Sequence, residues 1–202
     1  GSLKAKHCVE GARMLYEFCA TYGVPHSRCG KLIVIQHDEE FAALRALLAR
    51  GESNGVLGLA LVDGDFVRSR EPHVRARAAL FSPNSGILEA ETLIQTLARL
   101  CADFDAFILT GTPLVSADRR ADGIELRTPS ESILARTVVN AAGLYADDVS
   151  AMVGGEPFRI YPCRGEYVEL VPSKRSLVNA LVYPLPQASG HGLGVHLAKT
   201  TY

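Results

Sequence analysis

The sequence predicts a mixed α/β fold, of the α+β kind, and three observations carry this prediction. Amphipathic helical patterns and short β-branched runs follow one another along the 202 residues, without a regular strand-helix-strand repeat. With 48% hydrophobic residues, the chain has enough apolar side chains to bury a substantial core. The formal net charge of -1 comes from basic residues interleaved with acidic ones, so nothing predicts a nucleic-acid partner.

Membrane-spanning, secretory and metal-binding patterns are not found within these residues. No apolar run approaches the roughly 20 residues that a transmembrane helix needs, and no secretory signal is recognisable. We therefore expect a cytoplasmic protein, with a peripheral association with a membrane left open. The five cysteines lack the Cys-x-x-Cys and His-Cys spacings of metal sites. They are expected to be buried, reduced thiols, and no metal site is predicted.

The first quarter of the chain predicts a helix, a strand and a second helix. Apolar residues at spacings of three and four predict a helix over Leu3–Tyr22, which Gly23 ends. The run KLIVIQ, residues 31–36, predicts a strand. Asp38 is expected to cap the second helix, and Gly51 lies just past its expected end.

The next segment combines an irregular stretch with a clear strand and helix. Residues 52–77 are rich in glycine and are expected to be irregular, and their arginine series at positions 68, 70, 75 and 77 predicts a solvated surface. The strand AALFS, residues 78–82, then leads through the turn PNSG into a third helix over residues 90–104.

Extended segments dominate the second half of the chain. Asp122-Gly123 lies between two extended runs and predicts a hairpin. The β-branched run TVVN, residues 137–140, predicts a buried strand. Residues 158–200 predict further strands, including FRIYPCRGEYVELV, ALVYPLP and GLGVHLA, separated by Pro, Gly and Ser clusters.

The stretch VVNAAGLYADD, residues 138–148, predicts a corner between a strand and a helix that begins near Leu144. Ala141, Ala142 and Gly143 remove side-chain bulk at this turn, and Gly143 permits a positive φ and the close approach of another group. The first N–H groups of the helix would face an anionic ligand. Spacing alone leaves two interpretations open, a nucleotide-binding corner or tight packing of the helix on its sheet.

Six separated blocks of the sequence resemble one group of flavoenzymes. The block VVNAAGLYADDVSAMVG is similar to the second flavin-contacting corner of the FAD-dependent oxidoreductases of the D-amino-acid-oxidase superfamily. The other blocks resemble, in the same order, the L-2-hydroxyglutarate dehydrogenase and oxidase group: GSLKAKHCVEGARMLYEFC, RCGKLIV, EPHVRARAALFSPNSGI, RGEYVEL, and LVYPLP followed by GLGVHL. The agreement covers nearly the whole chain, and it is specific because six blocks agree.

This resemblance implies a partial glutathione-reductase-like FAD-binding domain with a β-sheet substrate-binding domain. The family's Gly-x-Gly-x-x-Gly loop and its glycine-proline segment over the flavin are not found in this sequence. We therefore expect an internal fragment, which alone binds no flavin, is inactive and aggregates. The expected division is a helical segment with part of the substrate domain over 1–105, part of the FAD-binding domain over 106–155, and substrate-domain strands over 156–202.

The resemblance also implies which residues contact the cofactor, FAD. Val115 would meet the adenine through its backbone amide and carbonyl, and Ala141, Ala142 and Gly143 would lie along the ribose and pyrophosphate. Residue type alone makes Val115 a core strand valine, so its role depends on the resemblance.

Four charged or titratable residues in these blocks are expected not to bind the cofactor or the substrate. Asp147 and Asp148 are favourable charges at the start of a helix, where they complement the helix dipole. Lys4 and His7 lie one turn apart on the first predicted helix and are expected to be solvated.

Oxidation of a 2-hydroxy acid needs donors for the carboxylate, a base for the hydroxyl proton and an acceptor for the hydride, which a flavin supplies. Arg164 has a planar fork that suits a carboxylate, although a surface pair with Glu166 or Glu169 is the alternative. His196 lies in an apolar run, where an imidazole needs either a hydrogen-bond partner or a role. The resemblance places His196 on the substrate side of the flavin, as the base.

Two further residues are assigned to the substrate. Tyr183 precedes a proline and would close the pocket, with a core tyrosine as the alternative. Lys199 would help Arg164 to hold the carboxylates. Many relatives have arginine at the place of Lys199 and threonine at the place of Ala198, so the identity of the substrate stays open.

Together these residues predict an FAD-dependent dehydrogenase or oxidase that acts on the CH–OH group of a short 2-hydroxy acid such as L-2-hydroxyglutarate. Two alternatives remain, a related flavoenzyme acting on glycerol 3-phosphate or an amino acid, and a non-catalytic flavin-binding partner subunit. The sequence does not choose the electron acceptor among oxygen, a quinone and an electron-transfer protein.

Overall fold

The computed structural model of the protein describes residues 1–186 and 194–201. The chain divides into two units, the first formed by Gly1–Phe104 with Glu169–Tyr202 and the second by Asp105–Val168. The domain limits expected from the sequence were residues 105 and 155, whereas the units of the structure change at residues 104 and 168.

The described residues form short strands and mainly amphipathic helices, as a mixed α/β fold requires. The helices are α1 Leu3–Tyr22, α2 Phe41–Ser53, α3 Gly64–Arg70, α4 Ala90–Asp103 and α5 Ala146–Met152. The strands are β1 His26–Ser27, β2 Lys31–Ile35, β3 Ala60–Asp63, β4 Ala78–Ser82, β5 Ile87–Leu88, β6 Ser116–Arg120, β7 Gly123–Arg127, β8 Ser132–Ala135 and β9 Leu181–Pro184. Short 3₁₀ turns occupy Asp38–Glu40, Gly143–Tyr145 and Pro172–Leu177.

A four-stranded sheet in the order β3-β4-β2-β9 forms the centre of the first unit. β4 pairs antiparallel with both β3 and β2, whereas β9 pairs parallel with β2. In that parallel pair Lys31 lies opposite Leu181, and Ile33 lies opposite Tyr183. The register therefore places Lys31 and Tyr183 on the same face of the sheet, because alternate residues of a strand share a face.

The core lies on both faces of this sheet. On one face Leu44 of α2 packs with Ile35 and Leu80, and on the other Val67 of α3 packs with Leu32. All five of these side chains are at most 3% exposed. Three other apolar residues of α2, Phe41, Leu47 and Leu48, pack against the same cluster. Burial from both sides fixes β2, which carries the first residue of the site described below.

The ends of α1 agree with the sequence prediction, whereas neither end of α2 does, since α2 continues through Gly51 to Ser53. Gly23 ends α1 in the left-handed region with φ 70°, as a C-terminal glycine should. Asp38 does not cap α2, because it lies in a 3₁₀ turn and pairs with Arg77 at 2.7 Å. The carboxylate of Glu40 instead accepts the N–H groups of Gln36 and His37, both at 2.8 Å.

The segment expected to be irregular, residues 52–77, contains β3 and α3. The reason lies in Asp63, whose side chain accepts the N–H of Phe66 at 2.8 Å and caps α3. β3 and α3 are each too short for the spacing of their apolar residues to show a strand or helix period. The arginine series itself is exposed, as predicted.

An antiparallel meander, β6-β7-β8, forms the sheet of the second unit. The hairpin predicted at Asp122-Gly123 is confirmed, with Arg120 opposite Gly123 across a two-residue turn. The predicted strand TVVN, residues 137–140, is wrong, and Val139 is 84% exposed. A β-branched run becomes a strand only where a neighbour pairs its backbone groups, and β8 has already ended at Ala135.

The C-terminal segments also form less strand than the sequence predicts. Residues 158–171 form no strand, and GLGVHLA contributes one bridge, between Leu197 and Val182. Residues 192 and 193 of that run lie outside the described residues. Only ALVYPLP gives a regular strand, β9, because β2 supplies it with a parallel partner.

Candidate functional site

Tyr183 and His196, both predicted site residues, are in contact in the first unit. β9 positions Tyr183, and the bridge between Val182 and Leu197 brings His196 beside it through hydrogen bonds of 2.9 and 2.8 Å. The two rings stack with centroids 4.4 Å apart and an interplanar angle of 19°. Both side chains are half-buried, so this pair of rings is held in place and still reaches solvent.

The tautomer of His196 follows from its hydrogen bond. Its Nδ1 lies 3.2 Å from the carbonyl oxygen of Gly194. Because a carbonyl only accepts, Nδ1 carries the proton in the neutral ring, and Nε2 then has the lone pair. The neutral imidazole can therefore accept a proton at Nε2.

Lys31 joins this pair, and the sequence analysis did not identify it. Its Nζ lies 4.6 Å from the centroid of the Tyr183 ring, a cation–π distance. Burial lowers the pKa of Lys31, a change that the nearby Cys29 partly offsets. The available signal was a lysine at the start of the apolar strand KLIVI, where a charged residue is unusual. We call Lys31, Tyr183 and His196 the aromatic cluster.

A cavity of about 720 Å³ opens between α1 and one end of the four-stranded sheet, and of the aromatic cluster it is Lys31 that lines it. Lys31 and Leu181 belong to its wall, and its lining is mostly apolar. The charged side chains that line it are Glu10, Arg13, Arg28 and Lys31. Its volume lies within the usual range of small-molecule sites, roughly 300–1,000 Å³.

Tyr16 and Arg28 form a second polar group on the cavity wall. The guanidinium of Arg28 lies 4.3 Å from the centroid of the Tyr16 ring, and the Tyr16 hydroxyl donates to the carbonyl of Asn84 at 3.0 Å. Burial raises the pKa of Tyr16, so its hydroxyl stays protonated. With Arg13, the cavity lining therefore has two cations besides Lys31.

Lys199 and the helix pair Lys4 and His7 are exposed. Lys199 follows the bridge of Leu197 by two residues. Solvation of Lys4 and His7 agrees with the sequence prediction. None of these three side chains is fixed by burial.

The corner of the second unit is built around Asn140, which the sequence analysis did not single out. Its side-chain Nδ2 donates to the carbonyl of Ala146 at 2.7 Å, and its Oδ1 accepts the N–H of Ala142 at 3.3 Å. Gly143 follows with φ 58°, and a Cβ added there would meet no atom within 4 Å. Ala141 and Gly143 are exposed. The corner therefore presents bare backbone to open space.

Asp147 has a more specific role than the predicted charge at a helix start. It lies in the first turn of α5, a helix of 7 residues. Its Oδ2 accepts the N–H of Ile160 at 2.9 Å, and its Oδ1 accepts that of Asp148 at 3.1 Å. The bond from Ile160 lowers the pKa of Asp147, and that from Asp148 contributes. Asp147 thus ties the chain after α5 back to the corner.

Val115 and Arg164, the remaining predicted residues of the second unit, are both exposed. Val115 is 51% exposed and precedes β6, so it is not a core valine. Its N–H donates to the carbonyl of Arg127 at 2.9 Å. Arg164 pairs with Glu166 on the surface, one of the two pairings that the sequence left open.

No helix of the described chain is both long and apolar enough to cross a membrane. Within the same residues, His, Cys, Asp and Glu side chains form no group of three or more suited to a metal ion.

Comparison with protein families and curated proteins gives a consistent result. The family model described as FAD dependent oxidoreductase (DAO) matches residues 1–201. L-2-hydroxyglutarate dehydrogenase of Bos taurus, named mitochondrial, is 37% identical over 208 residues, which cover 96% of this chain and 45% of that protein. L-2-hydroxyglutarate dehydrogenase of Escherichia coli K12 is 34% identical over 201 residues, which cover 98% of this chain and 47% of that protein. The chain thus spans about half the length of these relatives.

Two solved structures share the fold. L-alpha-glycerophosphate oxidase from Mycoplasma pneumoniae, with FAD bound, superimposes with a TM-score of 0.75 at 21% identity, over 94% of this chain and 52% of the other. L-proline dehydrogenase from P. horikoshii gives a TM-score of 0.73 at 18% identity, over 95% and 55%.

Proposed function

The chain belongs to the FAD-dependent oxidoreductase family, and from this premise we propose that the protein oxidises a short 2-hydroxy dicarboxylate such as L-2-hydroxyglutarate. The names of its curated relatives support this substrate class. The observation that carries the proposal is the aromatic cluster, in which a histidine with Nδ1 hydrogen-bonded to a carbonyl and a lysine contact the same tyrosine ring.

The residues of the corner fit one side of a bound FAD. Gly143 leaves room where a side chain would stand, and Ala141 and Ala142 add only methyl groups. The N–H of Val115 is already bonded to Arg127, so we assign its carbonyl, rather than its amide, to the adenine. Bound FAD would accept the hydride that leaves Cα of the substrate.

His196 is the base of this proposal. Its Nε2 takes the proton of the substrate hydroxyl, and the carbonyl of Gly194 holds the ring in the required tautomer through Nδ1. Stacking on Tyr183 fixes the plane of the imidazole. Such positioning matters because general-base catalysis needs the base within hydrogen-bond reach of the proton.

Arg164, Lys199 and Tyr183 are proposed to bind the substrate. Arg164 would exchange its surface partner Glu166 for a carboxylate, a small loss because exposed ion pairs contribute about 0–1 kcal/mol. Lys199 is exposed. Tyr183 supplies one wall through its ring.

Anaerobic reduction of the flavin-loaded full-length protein tests the proposal. L-2-hydroxyglutarate should bleach the oxidised flavin, whereas its D-enantiomer, glycerol 3-phosphate and amino acids should leave the spectrum unchanged. Faster bleaching by glycerol 3-phosphate or by an amino acid would replace the proposed substrate class with that of the neighbouring flavoenzymes. If none of these compounds reduces the flavin, the result would favour a non-catalytic flavin-binding subunit.

Location is a separate proposal. We keep the cytoplasmic expectation, noting that the bovine relative is named mitochondrial and the E. coli relative is not. Fractionation of the source cells, followed by immunoblotting against the protein, tests it. A signal confined to mitochondria would overturn it, whereas a membrane-fraction signal released by high salt would indicate the peripheral association that the sequence leaves open.

A further inference from the structure

Lys31 differs from those cations of the first unit that form ion pairs. The ion pairs of this unit join exposed side chains, such as Arg13 with Glu17 and Arg77 with Asp38. Lys31 is half-buried, and no Asp or Glu oxygen of the described residues lies within 4.0 Å of its Nζ. A cation withdrawn from water is costly unless an anion accompanies it. The protein itself supplies no such anion at this position among those residues.

The surroundings of Lys31 are arranged for a ligand. One side of the side chain contacts the Tyr183 ring, and the residue also forms part of the cavity wall. Tyr183 in turn contacts His196. A molecule whose hydroxyl meets the imidazole would therefore extend along the tyrosine ring and place a negative group at the ammonium.

We infer that Lys31 binds the distal carboxylate of the substrate and thereby selects dicarboxylates over monocarboxylates. The inference rests on the proposed function and names a residue that sets its specificity. It assigns the distal carboxylate to Lys31, which β2 holds in register with β9. Lys31 touches no reacting atom, so it should act on binding and leave the chemical step nearly unchanged.

The test compares two ligands in the flavin-loaded full-length protein. Glutarate carries two carboxylates and butyrate carries one, and neither has a hydroxyl to oxidise. Lys31→Met removes the charge and keeps the length of the side chain. It should weaken glutarate binding about 10- to 100-fold, the scale of one charge-assisted hydrogen bond, and leave butyrate binding unchanged. Titration calorimetry measures both dissociation constants.

Two further variants make the result interpretable. Lys31→Arg keeps the charge and should retain most of the preference for glutarate. Lys174→Met removes an exposed lysine of the same unit and should change neither constant. Steady-state kinetics should agree, with the KM of Lys31→Met raised for L-2-hydroxyglutarate and unchanged for L-2-hydroxybutyrate.

Different results would overturn the inference about Lys31 and the proposed function. Equal weakening of glutarate and butyrate in Lys31→Met, with an intact thermal transition, would give Lys31 a structural role and overturn the inference. An unchanged preference would overturn it as well. In both cases, turnover of L-2-hydroxyglutarate by the wild-type protein would leave the proposed function standing. A wild-type protein that no 2-hydroxy acid reduces would remove the proposed function and the inference together.

Discussion

The two units present their candidate site residues in different ways. In the first unit the aromatic cluster consists of side chains, and β2 and β9 hold it above a core with fully buried residues. In the second unit the corner around Gly143 presents backbone, fixed by the side chains of Asn140 and Asp147. A site made of side chains should be sensitive to changes of chemistry. A site made of backbone should be sensitive to changes of shape.

The largest effect should come from replacing His196, which tests whether the first unit depends on the chemistry of one side chain. His196→Ala in the flavin-loaded full-length protein should lower the rate of flavin reduction by roughly 10²-fold or more, the scale of general-base catalysis. The FAD content should be unchanged. Stopped-flow absorbance under anaerobic conditions measures the rate. His73→Ala, which changes an exposed histidine, is the control, and a wild-type rate in His196→Ala would remove His196 from the mechanism.

Glu71 tests whether the first unit depends on buried side chains. It is fully buried, and both of its carboxyl oxygens lie 3.0 Å from the N–H of Asn179, two residues before β9. Glu71→Met should lower the free energy of unfolding by about 1–3 kcal/mol, because that N–H would lose its partner inside the protein. Denaturant titration measures the change.

Glu40→Met is the matched control for Glu71. Glu40 also accepts backbone N–H groups, but it is only partly buried, whereas Glu71 is fully buried. Its loss should cost less than about 1 kcal/mol, near the net value of an ordinary hydrogen bond. Equal costs for the two variants would contradict the importance of burial at Glu71.

The next largest effect should come from changing the backbone conformation of the corner at Gly143 in the second unit. Gly143→Ala should cost about 1–2 kcal/mol of stability, because a non-glycine residue is strained at positive φ, and it should also lower the affinity for FAD. Gly111→Ala is a close match, since Gly111 has φ 66° and equally open surroundings. Both variants should lose similar stability, and only Gly143→Ala should lose flavin. Equal flavin content in the two variants after gel filtration would contradict a role of the corner in binding FAD.

The smallest effect is a pH dependence at Asp147. Hydrogen bonding lowers the pKa of this carboxyl below its ordinary value of 3.8. Its stabilisation is therefore complete above that value and is lost as the pH falls through the lower, folded-state pKa. Hydrogen exchange at the Ile160 amide, measured by NMR, should become less protected over that acidic range. Asp147→Asn should reduce this protection at neutral pH, whereas Asp148→Asn should not.

Long periodic patterns made the helices predictable. The prediction of Leu3–Tyr22 agrees with α1 at both ends, since twenty residues give the helical period room to show and Gly23 supplies the stop. The strand AALFS is likewise confirmed as β4. The run TVVN carried a stronger β-branched signal than AALFS, which has no β-branched residue, but propensity does not supply a pairing partner. Strand formation depended on neighbours that the local sequence does not specify.

The candidate site was predictable only in part, for a related reason. His196 and Tyr183 were selected separately, and their stacking depends on the bridge between Val182 and Leu197. Lys31 reaches Tyr183 only through the parallel pairing of β2 with β9. Glu71 and Asn179 are joined across 108 positions of sequence. Contacts between residues so distant in sequence leave no spacing pattern for a single sequence to display.

The parallel pairing of β2 with β9 also has a consequence for biosynthesis. Lys31 and Leu181 are separated by about 150 residues, and the whole second unit is translated between them. At about 5–20 residues per second, the ribosome needs roughly 8–30 s to deliver β9 after β2 has emerged. During that interval the open edge of β2 can recruit another extended chain. We therefore expect the nascent protein to need a holding chaperone until β9 arrives, and ribosome profiling of chaperone-bound nascent chains would show binding that ends there.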